Sequence, residues 1–249
     1  MKIAITTIAG GIGVVLLATM LFSGSASAAP PPFQLHPFEF VGTVANCGVA
    51  GTDTVTAAWD NTTGNPAASI FLEKLGATSN CAAAGVDIVT PLEGGPVSAV
   101  TELNFDVKNG GHCGAGAPRF NLELNAASNA FLGCNSGGVQ TDLGNGWTHV
   151  EFNAAAIAAA VVTAGGVPAD TLTDLYIIFD EGTDTGPDFT GHVYIDNISV
   201  NGQVVGSPTS PLTKDDCKNN GWKNFNPAFK NQGDCVSWVA TAGRNLPNG

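Results

Sequence analysis

From Phe38 to Val205 the chain alternates apolar and polar residues in short runs bounded by Gly, Asn, Asp and Pro, the pattern of strands with one buried face. Two runs are clean. Leu103, Phe105 and Val107 oppose Glu102, Asn104 and Asp106, and Phe120, Leu122 and Leu124 oppose Asn121, Glu123 and Asn125. Further strands are predicted at Thr52 to Ala58, Ser69 to Leu75, Trp147 to Phe152, Leu172 to Phe179 and His192 to Val200. Many short strands without alternating helices predict an all-β fold, a two-sheet antiparallel β-sandwich of jelly-roll type over residues 29–205. One segment breaks the period: Asn153, then the alanine-rich run Ala154 to Ala164, then Gly165-Gly166 read as a cap, a helix and a stop. This is a short crossover helix, and a face of alanines suits close packing on a sheet.

Outside the alternating region the pattern changes. Residues 1–28 combine Lys2, an apolar run from Ile8 to Phe22 and the small-residue end Ala26-Ser27-Ala28, which reads as a secretory signal. No later apolar run is long enough to span a bilayer, so the mature chain is expected to be secreted, extracellular and free of a membrane span. Residues 206–212, rich in Ser, Pro and Thr, read as a linker. In residues 213–249, Thr213 with Asp216 forms a capping box, Gly221 supplies a stop, and Pro227 and Asn231 offer a second helical start.

An extracellular compartment makes the six cysteines three disulfides before anything else. Neighbours along the chain suggest Cys47 with Cys81 and Cys113 with Cys134, although four cysteines allow three pairings; Cys217 and Cys235 would staple the C-terminal module. Charge then narrows the partners. Lys74, Lys108 and Arg119 face eighteen of the 21 acidic residues between Ala29 and Gly202, and the net charge is −12. A field this negative repels phosphate backbones, so nucleic acid is excluded as a partner. A divalent cation fits better, and Asp180, Asp184 and Asp188, crowded with Glu181 into one turn, supply the hard oxygens that calcium takes.

The strand Val193-Tyr194-Ile195-Asp196-Asn197-Ile198, with Phe38-Glu39-Phe40 near the other end, resembles the last and first strands of galactose-binding-like jelly rolls, including many carbohydrate-binding modules. That resemblance implies a structural calcium site to which Asp196 and Glu39 contribute. The stretches Lys214 to Trp222 and Phe229 to Val236 resemble a short module that recurs at the C-terminus of secreted bacterial proteins, and imply no defined activity.

For a ligand, the polar face of the sheet would project Asn104, Asn121, Glu123, His149 and Glu151 if their strands are neighbours, with Trp147 as an aromatic platform or an edge plug. Amides, carboxylates and a flat ring suit sugar hydroxyls and sugar faces. Catalytic signatures are weaker. There is no Gly-x-Ser-x-Gly, no His-Glu-x-x-His and no nucleotide-cradling loop, since Asn109 to Arg119 is glycine-rich without a Lys-Ser/Thr ending. The sequence therefore points to a secreted, calcium-stabilised, non-catalytic module that binds extracellular or cell-wall polysaccharide. The rival readings are a glycoside hydrolase using Glu123 and Glu151, and a structural or adhesive protein with a protein partner.

Overall fold

The structure is a computed structural model that describes residues 33–65, 67–204, 214, 215, 217–223, 225 and 229–241. The signal segment 1–28, the linker 206–212, and Thr213 and Asp216 of the expected capping box lie outside the described residues.

The strands are β1 (Gln34–Val41), β2 (Thr54–Gly64), β3 (Ala67–Leu75), β4 (Ala82–Val89), β5 (Glu102–Lys108), β6 (Arg119–Leu124), β7 (Ala130–Gly133), β8 (Val139–Asp142), β9 (Trp147–Asn153), β10 (Leu172–Phe179), β11 (His192–Val200) and β12 (Gln203–Val204). They form two antiparallel sheets. One has five strands in the order β1-β4-β10-β6-β7; the other runs β2-β3-β11-β5-β9-β8, with β12 paired to β11. The expected two-sheet antiparallel β-sandwich is what the chain forms, and it is compatible with a jelly roll.

Alternation decides what is buried. Ala84, Val86 and Ile88 of β4, Phe120 and Leu122 of β6, and Leu175, Ile177 and Phe179 of β10 point inward from one sheet. Leu103 and Phe105 of β5, Val150 and Phe152 of β9, and Val193 and Ile195 of β11 meet them from the other. Phe120 locks the layers together, its ring 5.5 Å from Phe105 and 6.0 Å from Phe152 across the interior.

Helices are few. A single turn, α1 (Val44–Cys47), is followed by α2 (Ala154–Thr163), which starts where the sequence placed it: Asn153 Oδ1 accepts from the amides of Ala155 and Ala156 at 3.1 and 3.0 Å. Ile157 and Val161, one turn apart, pack it onto β7 and β9. In the tail, Asn231 caps α3 (Gln232–Ala240) as expected, whereas Cys217 to Asn220 form turns and Gly221–Lys223 one 3-10 turn. The tail has its own small core of Cys217, Phe225, Phe229 and Cys235.

All three disulfides pair as the sequence suggested: Cys47–Cys81, Cys113–Cys134 and Cys217–Cys235. They are in keeping with an extracellular or otherwise oxidising compartment, and among the described residues no helix is long and apolar enough to cross a membrane.

Candidate binding cleft

Outward-facing positions of the five-stranded sheet lie in rows set by register. His36 pairs with Asp87, Asp87 with Tyr176, Tyr176 with Asn121 and Asn121 with Phe131, so one row crosses all five strands. In the next row Phe38 pairs with Gly85 and Gly85 with Ile178. Glycine at position 85 is a steric requirement. A methyl there would collide with the Phe38 ring and lie 2.8 Å from the Ile177 carbonyl oxygen, so only glycine lets Phe38 lie across the strand toward Tyr176, with the ring centroids 6.2 Å apart.

These residues floor a cleft of about 840 Å3 whose far wall is the stapled tail, through Asp215, Lys218, Asn219, Gly221 and Phe225. A second hollow of about 560 Å3 lies on the other side of β1 and shares Pro37, Phe38, Glu39 and Asn219 with the first. Trp59 lines it, and the buried indole Nε1 of Trp59 has no acceptor among the described residues.

Carboxylates dominate the electrostatics. Burial, reinforced by the charges of Asp174 and Glu93, pushes Asp87 up to about 7, and the Asp87 and Asp174 carboxyl groups share a hydrogen bond. Burial also raises Asp174 and Glu93, with the Glu123 charge adding at the first and the Asp174 charge at the second. Tyr176 Oη donates to Glu123 Oε1 at 3.2 Å, and Asn129 Nδ2 donates to that phenol oxygen at 3.3 Å. Burial and the Glu123 charge lift the phenol above its ordinary value. Among the described residues none of Asp87, Glu93, Glu123 or Asp174 belongs to an ion pair, and Lys218 of the cleft wall is paired with Asp215 at 2.6 Å.

Of the six residues expected to bind a ligand, only Asn121 and Glu123 stand on this sheet. Asn104 is on β5, and Trp147, His149 and Glu151 are on β9, all in the seven-stranded sheet. The expected single polar face is thus two faces separated by the hydrophobic interior. Asn104 stands opposite Glu151, and His149 Nδ1 lies 2.7 Å from Asp106 Oδ1. Trp147 is 5% exposed, too buried to offer its ring as a platform.

The five carboxylates expected to hold calcium are dispersed. Asp180 forms a two-pronged pair with Arg119 at 2.6 and 2.7 Å; Asp184 accepts from the Thr78 amide and hydroxyl at 2.7 and 2.8 Å. Asp188 faces the fully buried His112 at 3.2 Å, and Glu181 meets the other ring nitrogen at 2.8 Å. Asp196 accepts from the amides of Asn65 and Asn197, and Glu39 from the amide of Ala57. Among the described residues no three His, Cys, Asp or Glu side chains gather as a metal would need. Protein cations and amides answer the charge of this loop.

Neither a family model, nor a curated protein, nor a solved structure matches the chain.

The sequence reading missed Asp87 and Asp174 altogether. Each is a single carboxylate within an otherwise apolar or small-residue strand, Ala82–Val89 and Leu172–Phe179, and an acid that an apolar strand retains at an outward position is the signal that could have found them.

Proposed function

We propose that the protein is an extracellular glycan-binding protein and that the cleft over the five-stranded sheet is its binding site. One observation carries this reading: a flat aromatic ring, Phe38 seated on Gly85, lies beside Tyr176, Asp87, Asp174 and Glu123 in a cleft large enough for several sugar units. A pyranose presents C–H groups on its faces and hydroxyls around its rim, so it takes a ring against its face and carboxylates, amides or a phenol against its edge. Three disulfides suit an extracellular setting.

The rival hydrolase needs two carboxylates flanking one bond, and Glu123 and Glu151 stand on different sheets, facing away from each other, which leaves that pair without support. The test is depletion of the mature protein from solution by a panel of insoluble polysaccharides and bacterial cell walls. Selective depletion that is lost in Phe38→Ala is the expected result; no depletion by any member of the panel would overturn the reading.

A further inference from the structure

We propose that this cleft selects glycans bearing free amino groups, the sugar face stacking on Phe38 and a protonated amine entering the space between Asp87, Asp174 and Glu123. The inference rests on the glycan-binding reading and adds the substrate class to it.

Three observations converge. First, among the described residues the lining is unbalanced: Glu39, Asp87, Glu123, Asp174 and Asp215 stand against Lys218, which Asp215 already neutralises, with His36 as the one further titratable base. A neutral sugar can hydrogen-bond these groups but leaves Asp87 and Asp174 sharing a proton; an ammonium takes the place of that proton and donates three hydrogen bonds. Second, the floor is aromatic. The Phe38 and Tyr176 rings lie 6.2 Å apart beside the carboxylates, and Phe40 and Phe225 extend the apolar surface, so that a cation near the ring faces gains from their quadrupoles as well. Third, Trp59, which lines the adjoining hollow across β1, carries a buried indole N–H that has no acceptor among the described residues. An amino sugar polymer offers hydroxyl oxygens as well as cations along one chain, where a simple amine offers only the second.

Geometry supports the placement. Phe38 sits over Gly85, and Asp87 is the next outward residue on the same strand, about 7 Å further along. Asp87 pairs across to Tyr176, and Asp174, two residues before Tyr176 on its strand, is opposite Glu123. A ring stacked on Phe38 thus has the carboxylates at its rim rather than beneath it.

The experiment is isothermal titration calorimetry at pH 6 with three soluble hexamers: fully de-N-acetylated chito-oligosaccharide, its N-acetylated counterpart, and cello-oligosaccharide. The expected result is at least a tenfold preference for the amine-bearing hexamer, reduced to less than threefold in Asp87→Asn/Asp174→Asn, with Phe38→Ala weakening all binding. Phe38→Tyr should restore it. Because the whole chain is acidic, a preference that survives unchanged in the double variant would be diffuse attraction of a polycation, and would overturn the inference. Equal or tighter binding of either uncharged hexamer would also overturn it while leaving the glycan reading standing. If no hexamer and no insoluble polysaccharide binds, the glycan reading itself fails. Gly85→Ala is the less clean probe of the platform, because its methyl also crowds the Ile177 carbonyl and threatens the fold.

Discussion

Asp87 and Lys74 show how much can rest on one ionisable side chain. Asp87 titrates near 7 in the fold, against an ordinary 3.8, with burial as the first cause and the Asp174 and Glu93 charges behind it. A raised carboxyl pKa means that between those two values the native state holds a proton that the unfolded chain has released. Stability from this group is therefore greatest in acid and is lost as pH rises through 3.8 to 7. Asp174 and Glu93, both raised by burial, act in the same sense, whereas Asp60, Asp184, Asp188 and Asp215 are lowered and act in the opposite one. The comparison must therefore be between variants. Asp87→Asn, whose amide can still donate to Asp174, should raise the melting temperature at pH 8 and change it progressively less as pH falls toward 3.8; a shift that is the same across that range would mean that Asp87 is not the titrating group. Lys74 is the reverse case, a cation used for structure. It occupies an inward position of β3 with no exposure, and its Nζ donates to the carbonyls of Thr78, Asn80 and Asp180 at 3.2, 2.8 and 2.7 Å. Lys74→Met would leave three carbonyls without that donor and should cost about 2–4 kcal/mol in a denaturant titration. A loss below about 1 kcal/mol would show that the loop carries its own bonds.

Elements with a strong period were legible in the sequence and those without one were not. β10 and β11 begin and end where alternation put them, and β5, β6 and β9 differ by a residue or so, because each has one wet and one dry face. β4 escaped. Its outward positions include Ala83 and Gly85, the second of which leaves space under Phe38, so Ala82–Val89 reads as a featureless small-residue run. Missing β4 also hid the centre of the candidate site, since Asp87 lies on it and it joins β1 to β10. The error on the ligand face has the same root: β6 follows β5 in sequence, yet pairs with β10 and β7 in the other sheet, and alternation cannot tell which strands are neighbours. Helix α2 was legible through its ends rather than its face. Its cap is testable on its own: Asn153→Ala removes the acceptor for two amides and should cost about 1 kcal/mol, while Asn153→Asp should cost little. An unperturbed Asn153→Ala would mean that packing of Ile157 and Val161 alone fixes where the helix starts.

At the scale of the whole molecule the described residues form two cores of unequal weight. The sandwich buries a continuous cluster from both sheets, whereas the tail buries Cys217, Phe225, Phe229 and Cys235, with Trp222, Val236, Trp238 and Val239 partly covered around them. A core that small cannot offset the conformational entropy of ordering the segment, so the Cys217–Cys235 bridge, closing a span of 18 residues, has to supply order by restricting the unfolded tail. The same tail forms the far wall of the cleft through Lys218, Asn219 and Phe225. Binding and the bridge are therefore coupled without any contact between a ligand and a sulfur. In Cys217→Ser/Cys235→Ser, amide exchange should become fast throughout α3 while β4, β6 and β10 stay protected, and the melting temperature of the sandwich should barely move. Affinity for whichever glycan the intact protein retains should fall several-fold, because one wall of the site must then be ordered at the moment of binding. If the sheet amides lose protection together with those of α3, the two cores form one cooperative unit; if affinity is unchanged, the wall contributes nothing and the site is the sheet face alone.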